Sequence, residues 1–264
     1  MAALPVVHTF WIGPKLGPVA TACLRSFLTV GHPVVLHVYD EPADTPPGIV
    51  LRDANEIVPR DRVVQHQQSG SYALFSDIFR YRLLRNGADL YADCDVFCLK
   101  PIPRNDYVFG YQDIRFINGA VLALPPQSEL LQTLLSISED PGFIPPWLSR
   151  AKQRRLRWAK RLRRHPGLPA LTWGSIGPLA ITHFAKQLGV DHLAQPIDIF
   201  YPVSYWHFSL LLDPDLALSE LVTTRSCCVH LWNELIREKN PVVPPSSPLG
   251  RMLELETETQ LKAA

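Results

Sequence analysis

Two hydrophobic periods alternate along the chain. Leu4 to Ile12 is an apolar, β-rich run that Gly13-Pro14 stops. Pro18 to Thr29 then reads as a helix, with Pro18 in its first turn and Gly31 beyond its end. Pro33 to Tyr39 is a second apolar run of strand length, and Glu41 to Gly48 is a loop of prolines and glycine. Strand, helix and strand in this order predict a parallel sheet with crossover helices, hence an α/β fold. Tyr72 to Arg85 carries the clearest helical pattern: Leu74, Ile78 and Tyr81 form one stripe, Phe75 and Phe79 lie beside it, and Asn86-Gly87 ends it. A short strand then leads into Tyr91-Ala92-Asp93-Cys94-Asp95. Val108 to Tyr111 and Ile117 to Leu124 read as further strands, and Gln127 to Ser138 and Ile176 to Leu188 as helices, with Pro141 to Pro146 breaking the chain between them. From Pro241 onward a Pro/Ser-rich and then charged tail is expected to be weakly ordered.

A hydrophobic fraction of 47% over 264 residues supports a packed core. No run of eighteen apolar residues occurs, so no spanning helix is expected, and Met1 to Trp11 lacks the basic start of a secretory signal. The five cysteines show no paired zinc spacing and read as reduced, mostly buried thiols. A cytoplasmic protein is therefore expected. The formal charge of +1 conceals a polarised chain. Arg150 to Arg164 holds nine basic residues and no acid, which leaves the remainder about eight units negative. Leu148, Ala151, Trp158 and Leu162 fall near one helical face of that segment, with arginines and lysines around them. This suits peripheral attachment to an anionic membrane surface; a solvated helix or an exposed lid fits the same pattern. No aromatic-interleaved motif supports nucleic-acid binding, and none is expected.

Candidate chemistry centres on Asp93 and Asp95. On an extended segment, residues i and i+2 point to the same side. Two such carboxylates ionise together in an apolar pocket only with a compensating cation. Mn2+ or Mg2+ suits carboxylate oxygens and leaves coordination positions for water and substrate phosphates, and strand ends are where open α/β sheets bind ligands. The bland alternative is a solvated turn or an ion-pair site. Ser76, Asp77 and Arg80 share one polar face of an otherwise apolar helix. A carboxylate beside a guanidinium suits sugar recognition, although an ordinary surface pair has the same spacing.

The run Ser76-Asp77-Ile78-Phe79-Arg80-Tyr81, Leu83, Asn86-Gly87 and Tyr91-Ala92-Asp93-Cys94-Asp95 resembles the sugar-binding DXD region of family 32 glycosyltransferases. That group includes bacterial polysaccharide transferases, α-1,4-galactosyltransferases and yeast-type α-1,6-mannosyltransferases. His8 to Gly13 looks like the family's opening strand, Gly174 to Ala180 like its Thr-Gly-Pro segment, and His230 to Asn233 like its late His-x-Trp segment. Ala88 stands where the family has a second glycine, and Ile176 where it has threonine. The resemblance implies a GT-A fold, Rossmann-like, with a mixed sheet and helices on both faces. It would span 1–240 with a basic helical insertion at about 147–165 and a tail at 241–264. It implies an enzyme, a hexosyltransferase moving a sugar from a nucleotide-sugar donor, UDP by preference over GDP, to a glycan or lipid-linked acceptor with retention. Trp11 and Ile12 would meet the nucleobase. Ser76, Asp77 and Arg80 would bind the donor sugar, and Asp93 the ribose and sugar side. Asp95 would be the principal metal ligand beside Asp93, with His230 completing the shell and Asn118 and Asn233 contacting donor or acceptor.

Two other classes fit the aspartate pair. One is a DxD-type metal-dependent phosphohydrolase with Asp93 as nucleophile and Asp95 as acid/base; those enzymes place the pair after the first strand, whereas here it lies mid-chain. The other is a non-catalytic membrane-surface binding module on a transferase fold.

Overall fold

The computed structural model describes residues 3–261. Strand β1 (Val7–Trp11) leads into helix α1 (Gly17–Val30) and strands β2 (Val34–Val38) and β3 (Val50–Asp53). Helix α2 (Ala73–Arg85) precedes the short strands β4 (Leu90–Ala92) and β5 (Val96–Cys98), then β6 (Val108–Tyr111) and β7 (Ile117–Ala123). Helices α3 (Glu129–Glu139), α4 (Arg150–Arg161), α5 (Pro178–Gln187), α6 (Ile197–Phe200) and α7 (Leu218–Leu221) follow. Strand β8 (Cys228–His230) and helices α8 (Asn233–Lys239) and α9 (Pro248–Leu261) complete the chain.

Six strands form one mixed sheet in the order β3-β2-β1-β4-β7-β6. The first four are parallel, and β7 runs antiparallel to both β4 and β6. Successive side chains of a strand point to opposite faces, and β4 shows it: Leu90 and Ala92 enter one core cluster and Tyr91 the other. The first cluster is closed by α1 and α9 through Leu24, Phe27, Leu249 and Met252. The second is closed by α2, α3 and α5 through Phe75, Phe79, Leu131 and Ile181. The expected α/β architecture with helices on both faces is therefore present and compatible with a Rossmann-like fold. The start of α1 is fixed by Asp44, whose carboxylate accepts from the Leu16 and Gly17 N–H groups at 2.6 and 2.8 Å. Its end is a left-handed Gly31 at φ 100°.

Three expectations are corrected. The aspartates at 93 and 95 do not lie on an extended segment. They sit in a tight turn, closed by the Val96 N–H donating to the Asp93 carbonyl at 3.1 Å, because the chain leaves the main sheet after β4 to pair β5 with β8. The segment after Pro241 is not simply a weakly ordered tail. It carries α9, and Leu249 and Met252, three residues apart on one helical face, are buried in the core. Leu148 lies ahead of α4 and is half-buried, so it leaves the exposed stripe that Ala151, Trp158 and Leu162 share.

Candidate metal and donor site

The site forms at the carboxyl end of β4, where the short second sheet crosses over. The Asp93 N–H donates to the Ala120 carbonyl of β7 at 2.8 Å, which extends the main sheet by one residue. The chain then turns, and the antiparallel β5–β8 pair sets Val96 opposite His230. That register brings the His230 Nε2 within 3.2 Å of the Asp95 Oδ1. Trp232 follows at φ 52°, ψ 47°, a left-handed conformation unusual for a large side chain. It reverses the chain into α8, so that the Asn233 N–H donates to the Asp95 Oδ2 at 3.0 Å. The Trp232 indole N–H is anchored on the Val203 carbonyl at 2.9 Å. Its ring lies 4.1 Å from that of His230. Aromatic packing thus orients His230, whose buried Nδ1 has no hydrogen-bond partner among the described residues.

Asp93 is held from the other side. Its Oδ1 accepts from Arg80 at 3.0 Å and from the Tyr91 hydroxyl at 2.8 Å. The Ser76 hydroxyl lies 2.9 Å from the Tyr91 oxygen and accepts from Arg80 at 3.2 Å. Arg80 also donates to the Gly119 carbonyl at 2.6 Å, sits 3.4 Å from Asp77, and covers the Tyr91 ring at 4.7 Å. Its side chain is only 6% exposed, against 23% for Asp93 and 19% for Asp95. Arg80 therefore braces Asp93 from within, while both aspartates retain a solvent-facing edge. Gly177, just ahead of α5, lies over Asp77: a β-carbon there would stand 2.5 Å from the Asp77 Oδ2.

The charges are unequal in kind. Burial, opposed by Arg80 and reinforced by Asp93, pushes the Asp77 carboxyl up to about 7. Burial also raises Asp93, against the pull of Arg80. Burial works against ionised Asp95 too, but the charge and hydrogen bond of His230 and the Asn233 N–H outweigh it, and Asp95 titrates below the usual carboxylate range. Arg80 stays charged because Asp93, Tyr91 and Asp77 together overcome its desolvation.

Asp93, Asp95 and His230 offer ligand atoms that all lie within 4.8 Å of one another. Two carboxylates and one imidazole fit a hard divalent cation, so the cluster can hold a metal ion. Of the other expected site residues, Asn118 is buried and turned inward. Its amide donates to Gln112 at 2.6 Å and its carbonyl accepts from the Ala120 N–H at 2.7 Å. Asn233 reaches Asp95 through its backbone. Trp11 and Ile12 are half-buried at the same carboxyl edge of the sheet, beside the aspartate turn, where the Cys94 thiol meets the Thr9 hydroxyl at 3.0 Å. Trp11 lies in register with Val38, which lines a cleft of about 240 Å3 with Tyr39, Leu51 and Asp53 at the ends of β2 and β3. A larger cleft, about 640 Å3, lies elsewhere, around Tyr111, Ile114, Ile197 and Leu221.

Tyr91 and Gly177 belong to the site although neither stood out as a site residue in the sequence. Both lie in segments that carry the resemblance, Tyr91 two residues before Asp93 and Gly177 in the stretch from Gly174 to Ala180, but the residue pattern assigns neither a role. No protein-family model matches the chain, and a search of curated proteins returns no match.

Proposed function

We propose that this protein is a metal-dependent glycosyltransferase of GT-A type, moving a sugar from a nucleotide-sugar donor to an acceptor. The observation that carries the reading is the convergence of Asp93, Asp95 and His230 at the carboxyl edge of the sheet, with the Asp77–Arg80 pair directly behind Asp93. Asp95, Asp93 and His230 would hold Mn2+ or Mg2+. When bound, that ion would offset negative charge on the departing nucleoside diphosphate.

The chain's own groups do the positioning. Arg80, Tyr91 and Ser76 fix the Asp93 carboxylate so that it costs no reorganisation when the donor arrives. The Asn233 N–H holds one Asp95 oxygen and the His230 ring the other, which sets the carboxylate plane. Asp77, poised to titrate near neutrality, would exchange hydrogen bonds with a sugar hydroxyl as acceptor or as donor. The cleft beside Trp11 would take the nucleobase, with ring stacking as the physical basis. Among the described residues, Asp93 is engaged by a guanidinium and a phenol, and no covalent nucleophile is assigned. Catalysis then rests on positioning and electrostatics, consistent with retention through a front-face reaction.

A screen of UDP- and GDP-sugars with Mn2+ tests this. Expected is metal-dependent release of free sugar and nucleoside diphosphate in the absence of acceptor. Release of inorganic phosphate from phosphoesters would instead establish a phosphohydrolase, and release of neither product would contradict the transferase reading.

A further inference from the structure

Helix α4 and the residues just after it hold nine basic side chains, and among the described residues only Lys160 of them meets a carboxylate. Ser149 caps the helix by accepting from the Lys152 N–H, so the segment starts as a built helix and not as a loose basic run. Gln153, Leu156 and Ala159 form its half-buried inner face. The Gln153 amide ties that face to the Pro146 and Leu148 carbonyls at 3.0 and 2.8 Å, and Lys160 reaches back to Asp140 at 3.3 Å and the Gly142 carbonyl at 3.0 Å. These contacts fix which way the helix faces.

The opposite face is unpartnered. At roughly 100° per residue, Ala151, Trp158 and Leu162 make one outward stripe. Arg150, Arg154 and Arg161 flank it on one side and Arg155 on the other. Trp158 is 59% exposed and Leu162 61%. The Arg161 guanidinium lies 5.9 Å from the Trp158 ring centre. Among the described residues, no carboxylate pairs with Arg150, Arg154, Arg155, Arg161, Arg163 or Arg164. The remainder of the chain is net negative, so this segment carries the chain's excess of positive charge. An aromatic and a leucine bordered on both sides by arginines match a bilayer interface, in which apolar groups enter the headgroup boundary and guanidinium groups meet phosphates. A polyanion such as RNA would account for the arginines but not for the exposed leucine in their midst.

We propose that α4 is a docking surface for an anionic lipid bilayer, with Trp158 and Leu162 inserted and the surrounding arginines on lipid phosphates.

The test is flotation of the whole protein with vesicles of equal parts phosphatidylcholine and phosphatidylglycerol, and with pure phosphatidylcholine vesicles. The protein is expected to float with the first and not with the second. Replacing Arg154, Arg155, Arg161 and Arg164 together by glutamine is expected to lower partitioning on the order of 100- to 1,000-fold. The pair Trp158→Ser and Leu162→Ser is expected to lower it about 10-fold or more. Circular dichroism checks that each variant is folded. Equal flotation of the arginine variant, or indifference to the Trp158 and Leu162 replacements, would overturn the proposal. So would oligoribonucleotide binding by a protein that ignores anionic vesicles. None of these readouts depends on glycosyl transfer, so a failure here is distinct from a failure of the proposed activity.

Discussion

The cluster around Asp93 and the helix α4 are both rich in charge, and they treat it in opposite ways. Around Asp93 each ionised oxygen meets a donor: Arg80 and Tyr91 on one carboxylate, His230 and the Asn233 N–H on the other. Along α4 the guanidinium groups face solvent without carboxylates. Desolvated charge is costly unless paired and hydrogen-bonded, so the first region must be assembled by distant parts of the chain. Solvated charge carries no such requirement, and the second region is written into one contiguous segment. The difference separates a site that depends on the fold from a surface that needs only a helix to display it.

The comparison is broken most strongly at Arg80. Arg80→Met would strip Asp93 and Asp77 of their internal counter-charge while keeping the side-chain volume. The expected loss is about 3–5 kcal/mol of folding stability, measured by urea denaturation. A loss no larger than that of a surface substitution would mean the guanidinium is not bracing the site.

A smaller effect belongs to Asp77. Its carboxyl, raised by burial to about 7, binds its proton more tightly in the folded state than in the unfolded chain. The linked stabilisation is complete below the ordinary value of 3.8 and is lost as pH rises toward 7. Asp77→Asn cannot ionise, so denaturation profiles taken across that window should show a shallower decline with pH than the wild-type protein. An unchanged slope would assign the pH dependence to other groups.

The least effect on stability is expected from α4. Exchanging Arg154, Arg155, Arg161 and Arg164 for glutamine removes no buried contact, and the melting profile should stay within about 0.5 kcal/mol per site of the parent. A large destabilisation would show that these arginines hold the fold and are not displayed for a partner.

How much of this was legible in the sequence follows from the same distinction. Helices α1, α2, α3 and α5 and strands β1, β2, β6 and β7 carry strong local periodicity, and their expected boundaries stand within a few residues of those observed. Strand β3 lies at the sheet edge with mostly exposed side chains, which gives it little apolar pattern. Strands β5 and β8 have three residues each, too few to show a period. Their pairing, which sets His230 beside Asp95, joins positions 135 residues apart. Asp93, Asp95, Asp77 and Arg80 were visible as residue types at telling spacings. What the spacings did not carry is the division of labour: Arg80 turned inward, Tyr91 and Ser76 as braces, and Asp95 gripped by a backbone N–H that only the left-handed Trp232 makes available.

The central proposal is that Asp95 would hold a divalent cation on which nucleoside-diphosphate binding depends. Calorimetric titration of UDP into the protein, with and without Mn2+, tests it most directly when repeated on Asp95→Asn. The account predicts UDP binding that requires Mn2+ in the wild-type protein and is lost, about 100-fold or more, in a variant that remains folded. Equal UDP affinity with and without the metal, or undiminished metal-dependent binding in Asp95→Asn, would contradict it.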